Sequence, residues 1–260
     1  MKIDVLDHGY VEFIEDWGRG KVDVPEAGII EAARQSTQGS FRGWEHDAKL
    51  LEFLYISGHS TPFEFAGMTI EVLAPIAVFR EWHRHRTQSY NEMSARYAPL
   101  PDIYYMPTAN RCIVVPGKNT QANPVKGAKV PTHEEVLDWL ATVSHSYIVA
   151  ERCYQDGLAI GIPKEVARMP MPVGHYTQMR ATANLRNWLA FLTLRMDPNA
   201  QWEIRQFANA VGEVIKRYFP MTWKLFCQPG PKERIADLEE IIDELTASHE
   251  ALEHMGGLPQ

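Results

Sequence analysis

The chain has 260 residues, 45% hydrophobic and 23% charged, with a formal net charge of −7. That length buries one substantial core or at most two small ones, and the acidic balance argues against general affinity for nucleic acid, where attraction to phosphate dominates. No apolar run approaches the ~20 residues of a membrane helix, and Met1-Lys2-Ile3-Asp4 lacks the apolar core of a signal peptide, so a cytoplasmic protein away from membranes is expected.

Alternation over Val5–Ile14 predicts an early strand. Pro25 suits the first turn of a helix through Ile29, Ile30 and Ala33. A second helix is expected over Glu45–Ile56, with Leu50, Leu51 and Leu54 inward and Gly58 as its stop. Phe65–Leu73 places Met68, Ile70 and Val72 on one face and Thr69 and Glu71 on the other, the pattern of a half-buried strand. Pro75 opens a short helix through Phe79 and Trp82 that delivers Arg84-His85-Arg86 at its end, and Thr87–Pro99 is polar and irregular, a candidate functional loop. Residues 107–131 lack periodicity and read as a surface excursion. Thr132-His133-Glu134-Glu135 is a capping box before a long helix to about Gly157. Pro163 begins a short helix with Glu165 and Arg168; Val173–Thr182 reads as a strand; Asn184–Met196 and Ala200–Phe219 read as helices. Residues 231–254 are expected to form a C-terminal amphipathic helix with Ile235, Leu238, Ile242 and Leu245 on one stripe. Without repeats or linkers, residues 1–260 are expected to form one domain. Cys112, Cys153 and Cys227 suit neither a disulfide framework nor a Cys-x-x-Cys metal site and read as buried or incidental thiols.

The densest chemistry lies in Arg84, His85, Arg86, Glu92, Ser94 and Arg96, with Arg80 just upstream. Guanidinium forks suit phosphate and stay charged at any working pH, and Ser89, Asn91 and Ser94 add neutral hydrogen-bonding groups. This is either an anion cradle or a solvated basic turn favoured by a helix C-terminus. A metal hydrolase would draw on His59, His83 and His85, yet no Cys or Asp completes a ligand set; no metal is expected. A nucleotide- or nucleic-acid-binding module would use the same arginines with Tyr90 and Tyr97 as stacking platforms. A non-enzymatic scaffold accounts only for the C-terminal amphipathic pattern.

Arg84-His85-Arg86-x7-Ser94, continuing as Ala95-Arg96-Tyr97, resembles the signature of the flavin-dependent thymidylate synthases. Further segments follow in family order: Ala32-Ala33-Arg34-Gln35-Ser36, His59-Ser60-Thr61-Pro62-Phe63-Glu64, Glu165-x-x-Arg168, Asn184-Leu185-Arg186, Phe191-Leu192-Thr193-Leu194-Arg195 and Ala200-Gln201-Trp202-Glu203-Ile204-Arg205. The resemblance implies an α/β fold of α+β type, with a mainly antiparallel sheet surrounded by helices. It implies conversion of dUMP to dTMP with methylenetetrahydrofolate as carbon source, FAD as cofactor and NADPH as reductant, in a homotetramer whose subunits share active sites.

Carried over residue by residue, it assigns Arg84, His85, Arg86, Thr61, Asn184, Leu185 and Arg186 to FAD, with Ser36, Glu64, Glu92 and Ala190 at the same site. It assigns Glu81, Arg84, Glu92, Met93, Ser94, Ala95, Arg96, Arg168 and Arg195 to dUMP. Ser94 in a basic loop invites a nucleophile reading, but hydride delivery without an enzyme adduct favours hydrogen bonding. Arg195 is the expected catalytic residue, because a guanidinium at the uracil N3/O4 edge stabilises charge that develops there. Two positions depart from the pattern: Ala190 replaces an asparagine found in some members, and Glu81 stands where a glutamine is frequent. An acid beside dUMP is expected to cost affinity unless Arg80 or Arg84 neutralises it.

Overall fold

A computed structural model describes residues 1–37, 39–99, 101–114 and 124–228. Five strands, β1 (Lys2–Val5), β2 (Gly9–Trp17), β3 (Gly67–Pro75), β4 (Ser89–Glu92) and β5 (Tyr176–Asn184), form one antiparallel sheet in the order β1-β2-β3-β5-β4. Between them run α1 (Ala27–Ala33), α2 (Trp44–Ile56), α3 (Ile76–Trp82), α4 (Ala109–Cys112), α5 (His133–Ala159) and α6 (Lys164–Ala167). After β5 come α7 (Leu185–Arg195), α8 (Trp202–Tyr218) and α9 (Pro220–Phe226). This is the expected α+β architecture.

Period-two alternation decides which face is covered. Met68, Ile70, Val72 and Ala74 of β3 stand opposite Ala183, Ala181, Met179 and Thr177 of β5, and all are buried. Helices α3, α7 and α8 pack on this face. Trp82 of α3 meets Trp188 of α7 edge-on at 6.5 Å and tilts against Phe191 at 4.5 Å; all three rings are fully buried, and each such pair adds ~1 kcal/mol beyond burial alone. The opposite face carries Tyr10, Thr69, Glu71, Gln178, Arg180 and Thr182. They are joined by hydrogen bonds: Tyr10 Oη donates to Glu71 at 3.0 Å, Gln178 Nε2 to Tyr10 Oη at 2.9 Å, and Arg180 pairs with Glu71 at 3.3 Å.

Several elements differ from expectation. The first strand divides in two, because Leu6 adopts a left-handed φ of 61° and turns the chain at Asp7-His8. Gly9 restarts it where a Cβ would lie 2.6 Å from the Leu73 carbonyl oxygen. Ser89–Glu92, expected in a loop, is the edge strand β4; its polar residues suit a short edge with little to bury. Pro25 precedes α1 by two residues rather than sitting inside it. The fifth strand begins at Tyr176, three residues later than expected. Residues 107–131 include the single turn α4, begun by a Thr108 cap. Helix α9 has no counterpart among the expected elements, because its apolar stretch is too short to show a period. The thiols are free; Cys153 and Cys227 are exposed and Cys112 is partly so, which fits incidental rather than buried thiols. The amphipathic 231–254 segment lies outside the described residues.

Helix α9 starts on a buried carboxylate. Glu26 is 1% exposed, and its oxygens accept the amides of Met221 at 2.9 Å and Thr222 at 2.7 Å. Its left-handed φ of 65° costs roughly 1 kcal/mol, offset by satisfying two helix-end donors. Burial pushes the Glu26 carboxyl above the ordinary carboxylate range, with the hydrogen bonds from Thr222 and Met221 opposing. Glu26→Ala is expected to lower unfolding free energy by about 1–3 kcal/mol in urea titration, the cost of stranding buried donors. Because the folded pKa is raised, folding takes up a proton. Wild-type stability relative to Glu26→Gln should therefore fall as pH rises from the unfolded carboxyl value through the folded one.

Candidate active site

The described structure places the expected residues in three groups. The first sits where α3 and α7 end. Arg195, last residue of α7, donates from Nε to His85 Nε2 at 2.8 Å, from Nη1 to Glu81 Oε2 at 3.0 Å and from Nη2 to the Glu81 carbonyl at 2.9 Å. Its side chain is only 16% exposed, so these bonds replace most of the water a guanidinium would otherwise hold. The Glu81 charge is neutralised by Arg195, not by Arg80 or Arg84; the partner lies 114 positions away, outside any helical spacing.

His85 is the hinge of this group. Its ring packs edge-on against Phe191 at 4.9 Å, and its carbonyl accepts the Tyr90 hydroxyl at 2.6 Å. Burial, then the Arg195 charge, hold its pKa down to about 4, with Glu81 opposing. A neutral ring that accepts at Nε2 carries its proton on Nδ1. Burial pushes the Tyr90 phenol up to about 12, so it stays a donor and pins the turn. His85 thus faces inward, while Arg84 and Arg86 on either side are exposed and make no ion pair among the described residues.

The second group lies along α7 and the turn Thr61–Phe65, which pack together. Asn184 caps α7, accepting the Asn187 amide at 3.0 Å, and Leu185 is fully buried, its amide donating to the Ala66 carbonyl at 2.7 Å. Arg186 pairs with Glu64. Arg186 and Ala190, one turn apart, are exposed, as is Thr61. Ser36 is exposed in the turn after α1, which packs on the Thr61–Phe65 turn. Neighbouring Arg34 is locked between Asp47 and the Ser40 carbonyl, so it braces this wall.

The third group is on the edge of the uncovered sheet face. Met93 extends the β4 pairing by donating to the Gln178 carbonyl at 2.8 Å. Ala95 is buried, Arg96 pairs with Glu165 at 3.1 Å, and Lys164 reaches the Tyr97 carbonyl, so residues 94–97 dock on α6, whose C-cap is Arg168. Glu92, Met93 and Ser94 line a cleft of about 340 Å³. Arg195 and Glu81 line a different one, of about 970 Å³, with Arg111, Gln201, Trp202 and Arg205. Neither cleft contains residues of the other.

Arg111 lines the larger cleft and is held by Glu203, a pairing that sequence reasoning does not find. Glu203 on the first turn of α8 accepts Arg111 Nε at 2.8 Å and Nη2 at 3.2 Å, and the Tyr105 hydroxyl at 3.2 Å. Burial favours neutrality in both partners, but their hydrogen bonds prevail: Glu203 lies below the usual carboxylate value and Arg111 above the usual guanidinium value. This pair holds one wall of the larger cleft. Its one sequence signal is the Gln201-Trp202-Glu203 block; Arg111 lies in an aperiodic stretch. No group of three or more His, Cys, Asp or Glu side chains converges as metal ligands among the described residues.

An α+β chain with a guanidinium clasp in a cleft of about 970 Å³, and exposed arginines beside it, has the form of an enzyme for an anionic small molecule. A family model described as "Thymidylate synthase complementing protein" matches residues 21–221. The flavin-dependent thymidylate synthase of Thermotoga neapolitana is 37% identical over 87% of this chain and 94% of its own length; that of Thermus thermophilus is 36% identical over 87% and 78%. The crystal structure of a UMP/dUMP methylase, PolB of Streptomyces cacaoi, bound with 5-Br dUMP, superposes with a TM-score of 0.72 at 31% identity, covering 86% of this chain and 97% of that one. The chain belongs to the flavin-dependent thymidylate synthase family and is a methyltransferase enzyme.

The clasp has a direct spectroscopic test. Nitrogen-15 NMR of labelled histidine should give His85 a pKa of about 4 with its proton on Nδ1, and Arg195→Ala should raise that value by removing a neighbouring cation. A His85 that titrates near the ordinary histidine value in the wild-type protein refutes the arrangement.

Proposed function

We propose that the chain carries out reductive methylation of dUMP to dTMP, with FAD as cofactor, methylenetetrahydrofolate as carbon donor and NADPH as reductant, in the cytoplasm. The observation that carries this reading is the Arg195 clasp. Three of the five guanidinium donors are committed to Glu81 and His85, and the remaining two, one on each Nη, serve the cleft. Negative charge that develops on a pyrimidine carbonyl there meets a cation already oriented, with no reorganisation at the moment of reaction. The relatives' description as flavin-dependent, and the 5-Br dUMP in the PolB structure, support the cofactor and substrate.

FAD fits the donor set of the exposed turn. Arg84 and Arg86 offer guanidinium forks free of acidic partners among the described residues, suited to a diphosphate, while Thr61, Glu64, Asn184 and Arg186 supply the adjoining wall. When bound, reduced FAD supplies the hydride; the chain's residues bind, orient and stabilise. Ser94, Arg96 and Arg168 hold the dUMP phosphate, with Ser94 as hydrogen-bond donor rather than nucleophile.

The separation of the Ser94 cleft from the Arg195 cleft supports a site shared between subunits of a homotetramer. So does α5, which buries only Val136 and Tyr154 and leaves Leu137, Trp139, Ile148 and Val149 at least half exposed. Such an apolar surface marks an interface.

Purified protein with FAD is expected to absorb as a flavoprotein and to form dTMP from dUMP, methylenetetrahydrofolate and NADPH. Arg195→Ala should retain flavin yet lose about 10²–10³-fold in kcat, measured as tritium release from C5-labelled dUMP; near-normal turnover excludes the role given to Arg195. Mixing Arg195→Ala chains with Arg168→Ala chains should restore activity that neither possesses alone, and persistent inactivity in verified mixed oligomers argues for a site within one chain.

A further inference from the structure

A further cavity, of about 700 Å³, lies between α5 and the segments that lead into α4 and β5. Val136, Trp139, Val143 and Tyr147 line it from α5 at the spacing of one helix face. Leu137 and Ile148, of the proposed assembly surface, lie roughly 120–140° round the helix axis from Val143. In the lining, Trp139 is 53% exposed and Val173, just before β5, is 60% exposed, so the described chain leaves apolar wall uncovered. Elsewhere the wall is firmly held. Tyr147 Oη donates to the Tyr105 carbonyl at 3.3 Å, and the Tyr105 amide donates to the Gly174 carbonyl at 2.9 Å. Neither Glu81 nor Arg195 lines this cavity.

Its charged lining is Arg111, Glu135 and Glu203. Glu203 accepts Arg111 Nε at 2.8 Å and Nη2 at 3.2 Å, Tyr105 Oη at 3.2 Å and Gln201 Nε2 at 2.9 Å. Those donors fill the roughly four acceptor sites of a carboxylate, so Glu203 has nothing left for a ligand. Glu135 is paired with Lys129. Arg111 differs from both. Glu203 takes its side-on face, Nε and one N–H of Nη2, whereas the end-on fork, one N–H from each Nη, bonds to no described residue.

We propose that this cavity is a second small-molecule site, for an amphipathic monocarboxylate separate from the substrates of the reaction. The aromatic or branched aliphatic body of the ligand covers Trp139, Val143 and Tyr147, and its carboxylate sits on the end-on fork of Arg111. With the acceptors of the lining already committed and the fork donating, the polar end of the ligand must accept, and a planar carboxylate matches two parallel N–H groups. Glu203 holds the guanidinium in place beforehand, so binding spends little on ordering it. The rest of the wall rewards a ligand that removes apolar surface from water. A nucleotide, or any ligand with polar groups along its whole length, would strand them against that wall. Arg111 also lines the Arg195 cleft, so an occupant of this site touches a residue that the two cavities share.

Equilibrium dialysis of 4-biphenylacetate against the full chain supplemented with FAD, with and without saturating dUMP, tests the site. The acid should bind in both conditions, and the alcohol analogue 2-(4-biphenylyl)ethanol about tenfold or more weakly, the worth of a charge-assisted hydrogen bond. Arg111→Lys keeps the charge beside Glu203 but lacks the fork, and should bring the two affinities within about threefold of each other. Val143→Trp fills the cavity and should abolish binding of both compounds while dUMP binds as in wild type. Bound acid should also slow alkylation of Cys112, which lines the cavity, with exposed Cys153 and Cys227 as unaffected controls in mass spectrometry. Equal affinity for acid and alcohol in wild-type protein overturns the role of Arg111. Absence of binding, or binding that survives Val143→Trp, overturns the site. Loss of acid binding on addition of dUMP assigns the ligand to the substrate cleft and overturns the proposal as well.

Discussion

A guanidinium with little access to water must carry its partners with it, and Arg195 does so by joining the ends of two helices. Bonds to Glu81 and His85 tie the last residue of α7 to the C-terminal end of α3 and the turn beyond it. Those helices reach one another only because both pack on the covered sheet face through Trp82, Trp188 and Phe191. Core packing therefore determines the position of a charge, and the charge determines the protonation of its neighbour: neutral His85 is what burial beside a cation leaves. The exposed orientation of Arg84 and Arg86 follows, since His85 takes the inward place between them.

The sheet divides the molecule's tasks. Its covered face anchors α3, α7 and α8 and with them the clasp, while its polar face, knitted by Tyr10, Glu71, Gln178 and Arg180, presents the Ser94 segment at its edge. Pairing of β4 with β5 brings these two functions into one framework from opposite sides. A long helix with few buried residues completes the picture: α5 is capped at its start by the Thr132–Glu135 box, so its first amides are satisfied locally, yet Leu137, Trp139, Ile148 and Val149 stay at least half exposed among the described residues. Stability of such a helix comes from packing rather than from propensity.

Much of this is legible in the sequence, and the reasons are local. The alternation of Met68, Ile70 and Val72 specifies a half-buried strand because strand side chains point to opposite faces in turn. Pro75, the Thr132 capping box and Asn184 mark helix starts because orphan amides need those groups or their absence. Illegible are the short edge strand β4, which lacks any apolar signal, the break at Leu6, which depends on a single left-handed residue, and the ion pair that recruits Arg111 from an aperiodic stretch.

The sequence by itself determined the residue chemistry of the site and the order of its motifs, since ordered blocks of arginine, serine and asparagine survive as a linear pattern. Periodicity and capping marked out the individual strands and helices, while the α+β class came from the family resemblance of those blocks. Only the tertiary structure decided that Glu81 answers Arg195 rather than Arg80 or Arg84, that His85 is neutral, and that Ser94 and Arg195 open into separate clefts. Charge pairing and burial depend on distance in space, and residues 81 and 195 become neighbours only when α3 and α7 pack on the same face of the sheet.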